Sequence, residues 1–201
     1  LGYDNALDGA RIRFKVTSGL YVKGVWGKQR SFFSTSPGIV RGIDGEINFN
    51  ELLSSRMDSC QTTFIIGGSF VSKFQSDTDP LLNIPQNVGA WAFRANVIRK
   101  KINLYAEWAY KINDPTIGNN LIYKNGTSLF VSAAYSTKGL GILLAVKQVD
   151  NFGFRSNRGA VGNNSIINYL PALTKQHTYQ LAAYYPYATQ PNGEVGWQAE
   201  I

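Results

Sequence analysis

Residues 10–26 read ARIRFKVTSGLYVKGVW, and their period decides the fold. Ile12, Phe14 and Val16 alternate with Arg11, Arg13 and Lys15, a period of two that cannot lie on one stripe of a helix. Thr17-Ser18-Gly19 follows, then a second alternating run from Leu20 to Trp26. A three-residue hairpin with Gly19 in the left-handed conformation pairs Val16 with Leu20, Phe14 with Val22 and Ile12 with Gly24, so both apolar rows share one face. On the other face the same register sets Arg13 across from Lys23, a like-charge pair that costs stability unless water or anions intervene.

Working outward, the pattern recurs. Ile39, Ile43, Ile47 and Phe49 alternate with Asp44, Glu46 and Asn48; Phe64, Ile66 and Phe70 share one parity against Thr63, Ser69 and Lys73. Trp91, Phe93, Ala95 and Val97 lead through residues 98–101 into Ile102, Leu104, Ala106, Trp108 and Tyr110. Leu129, Val131, Ala133 and Tyr135 share a face with Leu140, Ile142, Leu144 and Val146 whether their turn has two residues or four. Tyr179, Leu181, Ala183 and Tyr185 read as a ninth strand, and Val195, Trp197, Ala199 and Ile201 as a tenth.

The expected connections mostly alternate between short and long: residues 27–38, 75–87, 113–127 and 150–175 are long, the links between them tight or middling. Such a meander gathers its long loops at one end, the layout of outer-membrane barrels. Strands of about eight to eleven residues at ~3.3 Å each, tilted near 40°, span an apolar band of roughly 25 Å. Trp26, Tyr110, Tyr135, Tyr184 and Tyr185 fall near strand ends, where an amphipathic ring sits at headgroup level. The expected class is therefore all-β: an antiparallel up-and-down transmembrane β-barrel of about ten strands in one unit, residues 1–201. Its pore-lining candidates are Arg11, Arg13, Lys15, Lys23, Arg94, Glu107, Lys111 and Lys147, with Glu46, Glu194 and Glu200 as counterweights. Its lipid-facing candidates are Phe14, Trp91, Phe93, Trp108, Tyr135, Leu144 and Trp197. A β-sandwich with one wet face alternates in the same way and is the rival architecture.

Composition narrows the rest. Among 201 residues there are 20 Lys+Arg against 13 Asp+Glu, with 16% charged, 13% aromatic and 20 glycines, which fits neither a disordered tail nor a coiled coil. One Cys60 forms no internal disulfide, and with a lone His177 it makes no ordinary zinc cluster. The longest apolar run, residues 140–146, is far short of the roughly 20 residues that a spanning helix needs. The first residues show no signal-peptide pattern and no initiator Met, and the last strand stops at Ile201 in mid-alternation. The expectation is a processed or excised chain forming part of a larger closed barrel, because an open edge in lipid leaves backbone groups unpaired.

Laid out this way, the stretches LDGARIRF, YVKGVWGKQR, VRGIDGEINFNE, GGSFVSKFQ and YYPYATQPNGEVGWQAEI together resemble an uncharacterised family of outer-membrane β-barrel proteins of Bacteroidota. The resemblance implies a barrel in a bacterial outer membrane and members longer than this chain. It carries no activity and no functional residues.

The remaining motifs have plain readings. Gly67-Gly68-Ser69 lacks the closing glycine of a nucleophile elbow and lies within an alternating strand. No spacing nominates a Ser beside His177, so no enzyme is expected. Asp77 and Asp79 flank Thr78 without the glycine or distal Glu of a calcium loop. Asn125-Gly126-Thr127 matches a glycosylation sequon by chance. The basic charges alternate with apolar residues instead of forming an aromatic-lined stripe, which argues against nucleic acid. No cofactor is implied. Residues 150–175 hold Phe152, Phe154, Ile166, Ile167, Tyr169 and Leu170 among Asn, Gly and Ser, so this loop is expected to fold into the barrel mouth or dock on a partner. The leading functional expectation is a non-enzymatic accessory or structural subunit of an outer-membrane assembly, contacting lipids and other envelope proteins. A porin-like passive channel with a cationic lumen is the alternative, and a soluble glycan-binding β-sandwich the third reading.

Overall fold

Along most of the described chain, an apolar residue at every second position becomes strand. The computed structural model describes residues 6–53, 61–77, 81–162, 164–170, 173 and 189–201. It contains β1 (Leu7–Thr17), β2 (Leu20–Ser31), β3 (Ser34–Asn48), a short helix α1 (Phe49–Leu52), β4 (Thr62–Phe74), β5 (Asn87–Arg99), β6 (Ile102–Lys111), β7 (Gly126–Thr137), β8 (Leu140–Asp150) and β9 (Gly193–Glu200). All nine strands belong to one sheet in sequence order, each antiparallel to its neighbours. This is the expected all-β up-and-down class. Among the described residues β1 pairs only with β2 and β9 only with β8, so the sheet is open.

The first hairpin forms in the expected register: Phe14 faces Val22, Ile12 faces Gly24 and Arg13 faces Lys23. Only at the turn does it differ, where the register shifts and Thr17, not Val16, pairs with Leu20. Gly19 has φ +82°, and a Cβ there would stand 2.5 Å from the Asn48 carbonyl oxygen. Glycine is required on both counts.

Three connections depart from expectation. The long loop expected over 27–38 is a hairpin tip, with β2 and β3 continuing to Ser31 and Ser34 and Phe32 at φ 53°. Polar residues fill both faces there, so the apolar period stops while backbone pairing goes on. The turn between β5 and β6 is only Lys100-Lys101, and Phe49, counted with its strand, begins α1, capped by the Asn48 side chain. The expected ninth strand and His177, Tyr184, Tyr185, Cys60, Thr78 and Asp79 lie outside the described residues. Residues 193–200, expected as the tenth strand, pair directly with β8. Between the described strands the long links 75–86 and 112–125 lie at one end, with 32–33 a tight turn there, and residues 151–170 leave β8 at that same end.

The register sorts every strand residue onto two faces. The apolar face runs in rows across the sheet, such as Ile12, Gly24, Ile43, Phe70, Trp91 and Tyr110, then Phe14, Val22, Gly45, Gly68, Phe93 and Trp108. Much of this face is open to solvent: Phe14, Val195 and Trp197 are 61%, 77% and 78% exposed. The buried hydrophobic residues lie on the opposite, polar face and in the segment after β8: Ala109, Val149 and Phe152 form one cluster, and Val40, Val88, Ala145, Phe154 and Ala160 are buried too. The core thus forms between the sheet and its own loops, and the alternating apolar rows take no part in it.

Candidate functional site

The site with the most converging polar chemistry is the polar face beneath residues 151–170. This segment reaches across most of the sheet. Ser156 Oγ donates to Gln29 Oε1 of β2 at 2.7 Å or to Ser36 Oγ of β3 at 2.9 Å, and Gln29 Nε2 donates to the Ile166 carbonyl at 2.9 Å. Gly38 permits this approach, since a Cβ there would stand 1.9 Å from the Ser156 carbonyl oxygen. Lys111 of β6 donates to the Gly153 carbonyl at 2.7 Å, and Asn119 Nδ2 donates to Asn151 Oδ1 at 2.9 Å. The segment therefore touches β2, β3 and β6 on one face.

Charge fastens this cover. Lys73 Nζ and Asp114 Oδ2 are 2.6 Å apart, both side chains at 0% exposure. Arg158 from the covering segment approaches Asp114 Oδ1 at 3.7 Å and donates to the carbonyls of Gln75 and Pro85. Lys73 also lies 5.6 Å from the centre of the Phe154 ring. One carboxylate on the loop between β6 and β7 therefore joins a strand cation to a loop cation in a site closed to water. Removing one partner of such an arrangement leaves a buried charge uncompensated.

A second cluster braces the polar face farther from the loops. Arg94 of β5 reaches over β4 to β3, with Nη1 2.7 Å from Asp44 Oδ1 and Nη2 3.0 Å from Glu46 Oε2. It can do so because Gly67 is its cross-strand partner, and a Cβ on Gly67 would stand 2.5 Å from the Arg94 guanidinium carbon. Ser69 Oγ donates to Asp44 Oδ1 at 2.6 Å, and Lys23 Nζ lies 3.5 Å from Asp44 Oδ2. Ser69 thus serves this ion network from the middle of β4. Tyr105 donates to Glu107 on the same face.

Arg11, Arg13, Lys15, Lys23, Arg94, Glu107, Lys111 and Lys147 all lie on the polar face, and Phe14, Trp91, Phe93, Trp108, Tyr135, Leu144 and Trp197 all lie on the apolar one. The structure does not bring the cations together as one solvated ring. Lys111 and Lys147 are buried, the latter 2.7 Å from Glu194 Oε1 and 2.6 Å from Thr189 Oγ1. Gly153 of the covering segment accepts from Lys111, and Thr189 and Glu194 meet Lys147, so neither ammonium stands open to solvent. Lys23 and Arg94 are held by carboxylates, and exposed cations remain on β1 at Arg11, Arg13 and Lys15, the last over the Tyr21 ring at 5.6 Å. On the apolar face the aromatics cluster at mid-sheet as well as near strand ends. Phe93 stacks on Trp108 at 6.2 Å and Phe70 meets Trp91 at 5.2 Å, while Trp26 stands inside the lengthened β2.

Asp114, Arg158, Ser156 and Gln29 are the participants that periodicity did not single out. Asp77, considered for calcium, accepts from the Ile84 backbone N–H at 3.0 Å and so closes its own loop. No group of three or more potential metal-binding side chains occurs among the described residues. No helix among them is long and apolar enough to cross a membrane, which says nothing of strands.

A family model described as a family of unknown function (DUF6029) matches residues 1–201. The chain belongs to the DUF6029 family. Comparison with curated proteins and with solved structures gives no match.

Proposed function

We propose that this DUF6029 chain forms strand wall of a bacterial outer-membrane β-barrel, of the Bacteroidota type that its motifs resemble. It serves there, without catalysis, as an accessory or structural subunit of a larger envelope assembly. The apolar face meets lipid, and the polar face encloses an interior filled at the long-loop end. The observation that carries the reading is the inversion of burial: the apolar rows are exposed while lysines on the other face are buried. A soluble protein rarely exposes a contiguous apolar surface of this extent. A sandwich would set the apolar rows against a second sheet, whereas the nine described strands form one.

Residues 151–170, fastened through Ser156, Arg158 and Gly153, favour a structural role over passive conduction. The exposed row Arg11, Arg13 and Lys15 favours the alternative of a cationic path for anions. Protein purified in detergent and reconstituted in planar bilayers separates the two. The structural reading predicts silence and co-purifying envelope proteins; stable ohmic steps with anion preference would replace it with the channel. Full solubility without detergent, with no heat-modifiable band on a gel, would overturn the membrane placement itself.

A further inference from the structure

Among the described strand residues, the apolar face carries cations at the long-loop rim on β2 and β3. Lys28 and Arg30 on β2 and Arg41 on β3 are all exposed, and they alternate along β2 with Trp26, which is the register partner of Arg41. This level lies one row beyond Ile43, Phe70, Trp91 and Tyr110. Between it and Arg99 at the opposite end, that face bears no charged side chain on β2 to β5. The acidic residues at the same rim are Asp8, the register partner of Lys28, and Asp150, which is 2.7 Å from Lys124 across the sheet. Arg41 uses Nη2 on Asn87 Oδ1 at 2.9 Å and leaves the rest of its guanidinium to solvent. The patch therefore has a surplus of two positive charges at the upper limit of an apolar belt, beside an indole.

We propose that Lys28, Arg30 and Arg41, with Trp26 level with Arg41 and below the other two, form a binding site for the phosphate of an anionic lipid headgroup in the leaflet on the long-loop side. Charge complementarity selects this occupant. A phosphate accepts bidentate hydrogen bonds from guanidinium groups, long basic side chains at a lipid boundary extend their heads to the interface, and an indole ring prefers the same depth. A cytosolic acidic protein would also attract cations but would not reach a row adjoining the lipid belt. The site rests on the membrane reading above.

The test uses the full chain with Trp91, Trp108 and Trp197 changed to Phe, so that Trp26 alone reports, in equimolar phosphatidylglycerol and phosphatidylcholine vesicles. One lipid at a time is brominated on its acyl chains. Phosphatidylglycerol should quench Trp26 roughly five- to tenfold more effectively than phosphatidylcholine at low salt, with the preference fading as salt rises. The Lys28→Gln, Arg30→Gln, Arg41→Gln variant should quench equally with both lipids. The Arg11→Gln, Arg13→Gln variant, which loses charge on the opposite face, should keep the preference. Equal quenching by the two lipids before any charge is removed overturns the headgroup site and leaves the membrane placement standing. Absence of quenching by either lipid, in protein that shows a heat-modifiable folded band, overturns the placement. A variant lacking that band is replaced by the three single substitutions, each expected to lose part of the preference.

Discussion

Val131→Arg on β7 tests the orientation of the sheet most directly. Val131 lies in the middle row of the apolar face, between Ala106 and Val146, and is 40% exposed. If that exposure faces acyl chains, an arginine at mid-depth costs about 2–4 kcal/mol. Losing the valine's own contact with lipid adds roughly 1 kcal/mol, a fraction of the ~1.5–3 kcal/mol for burying such a side chain completely. The sum of about 3–5 kcal/mol corresponds to roughly two to four powers of ten in the folding equilibrium. Tyr135→Arg, near the end of the same strand, should cost far less, because the penalty falls to about 0–1 kcal/mol at the interface. Asn103→Arg places the same charge at an exposed position on the polar face and should be close to neutral. The assay is reversible denaturant unfolding in lipid vesicles, followed by the heat-modifiable band. A flat response across the three variants, or a Val131→Arg protein as stable as Asn103→Arg, would refute the facing.

The remaining expectations concern both faces. Phe14→Asp should block membrane assembly while Arg13→Asp is tolerated, read as the folded fraction recovered with outer-membrane-like vesicles. Asp114→Asn strands Lys73 without its carboxylate and should cost about 3–5 kcal/mol, with faster protease cleavage within 151–170 and, if the cover then leaves, conductance in planar bilayers. Gly67→Val pushes the Arg94 guanidinium off its seat on Asp44 and Glu46; a loss of about 1–3 kcal/mol is expected, largely absent when Arg94→Ala is already in place.

Strands and their facing were legible because each turn of alternation repeats one physical demand, an apolar side chain at every second position. Phe14, Phe93, Trp108 and Trp197 could be assigned to one face from parity alone. Gly19 fixed the first register because a left-handed turn residue leaves few ways to close a hairpin. The extension of β2 and β3 to Phe32-Phe33 was not legible, since Lys28, Gln29 and Arg30 interrupt the apolar pattern without interrupting backbone pairing. The covered site was hidden for a different reason. Lys73 and Asp114 lie 41 residues apart, and Asp114 stands in a loop that has no period to mark it. The aromatic content of 150–175 did signal burial, and Phe152 and Phe154 supply it, but Arg158 gave no sign that it would be the fastening.

The charge arrangement across the wall bears on how it would close. Where the polar face is covered or braced, cations meet carboxylates: Lys23 and Arg94 with Asp44 and Glu46, Lys73 and Arg158 with Asp114, Lys147 with Glu194. At the β1 edge that balance fails, for Arg11, Arg13 and Lys15 share the polar face and Arg13 faces Lys23. The strand beyond β1 is therefore expected to answer with acidic or hydrogen-bond-accepting side chains on its polar parity, since like charges directly opposite are destabilising. The other edge has that character, as β9 places Glu194, Gln198 and Glu200 on the polar face. Yet β1 and β9 run parallel, being the first and ninth strands of an antiparallel meander. Antiparallel closure of the proposed barrel therefore needs an odd number of strands between them, which is the even total that bacterial barrels adopt.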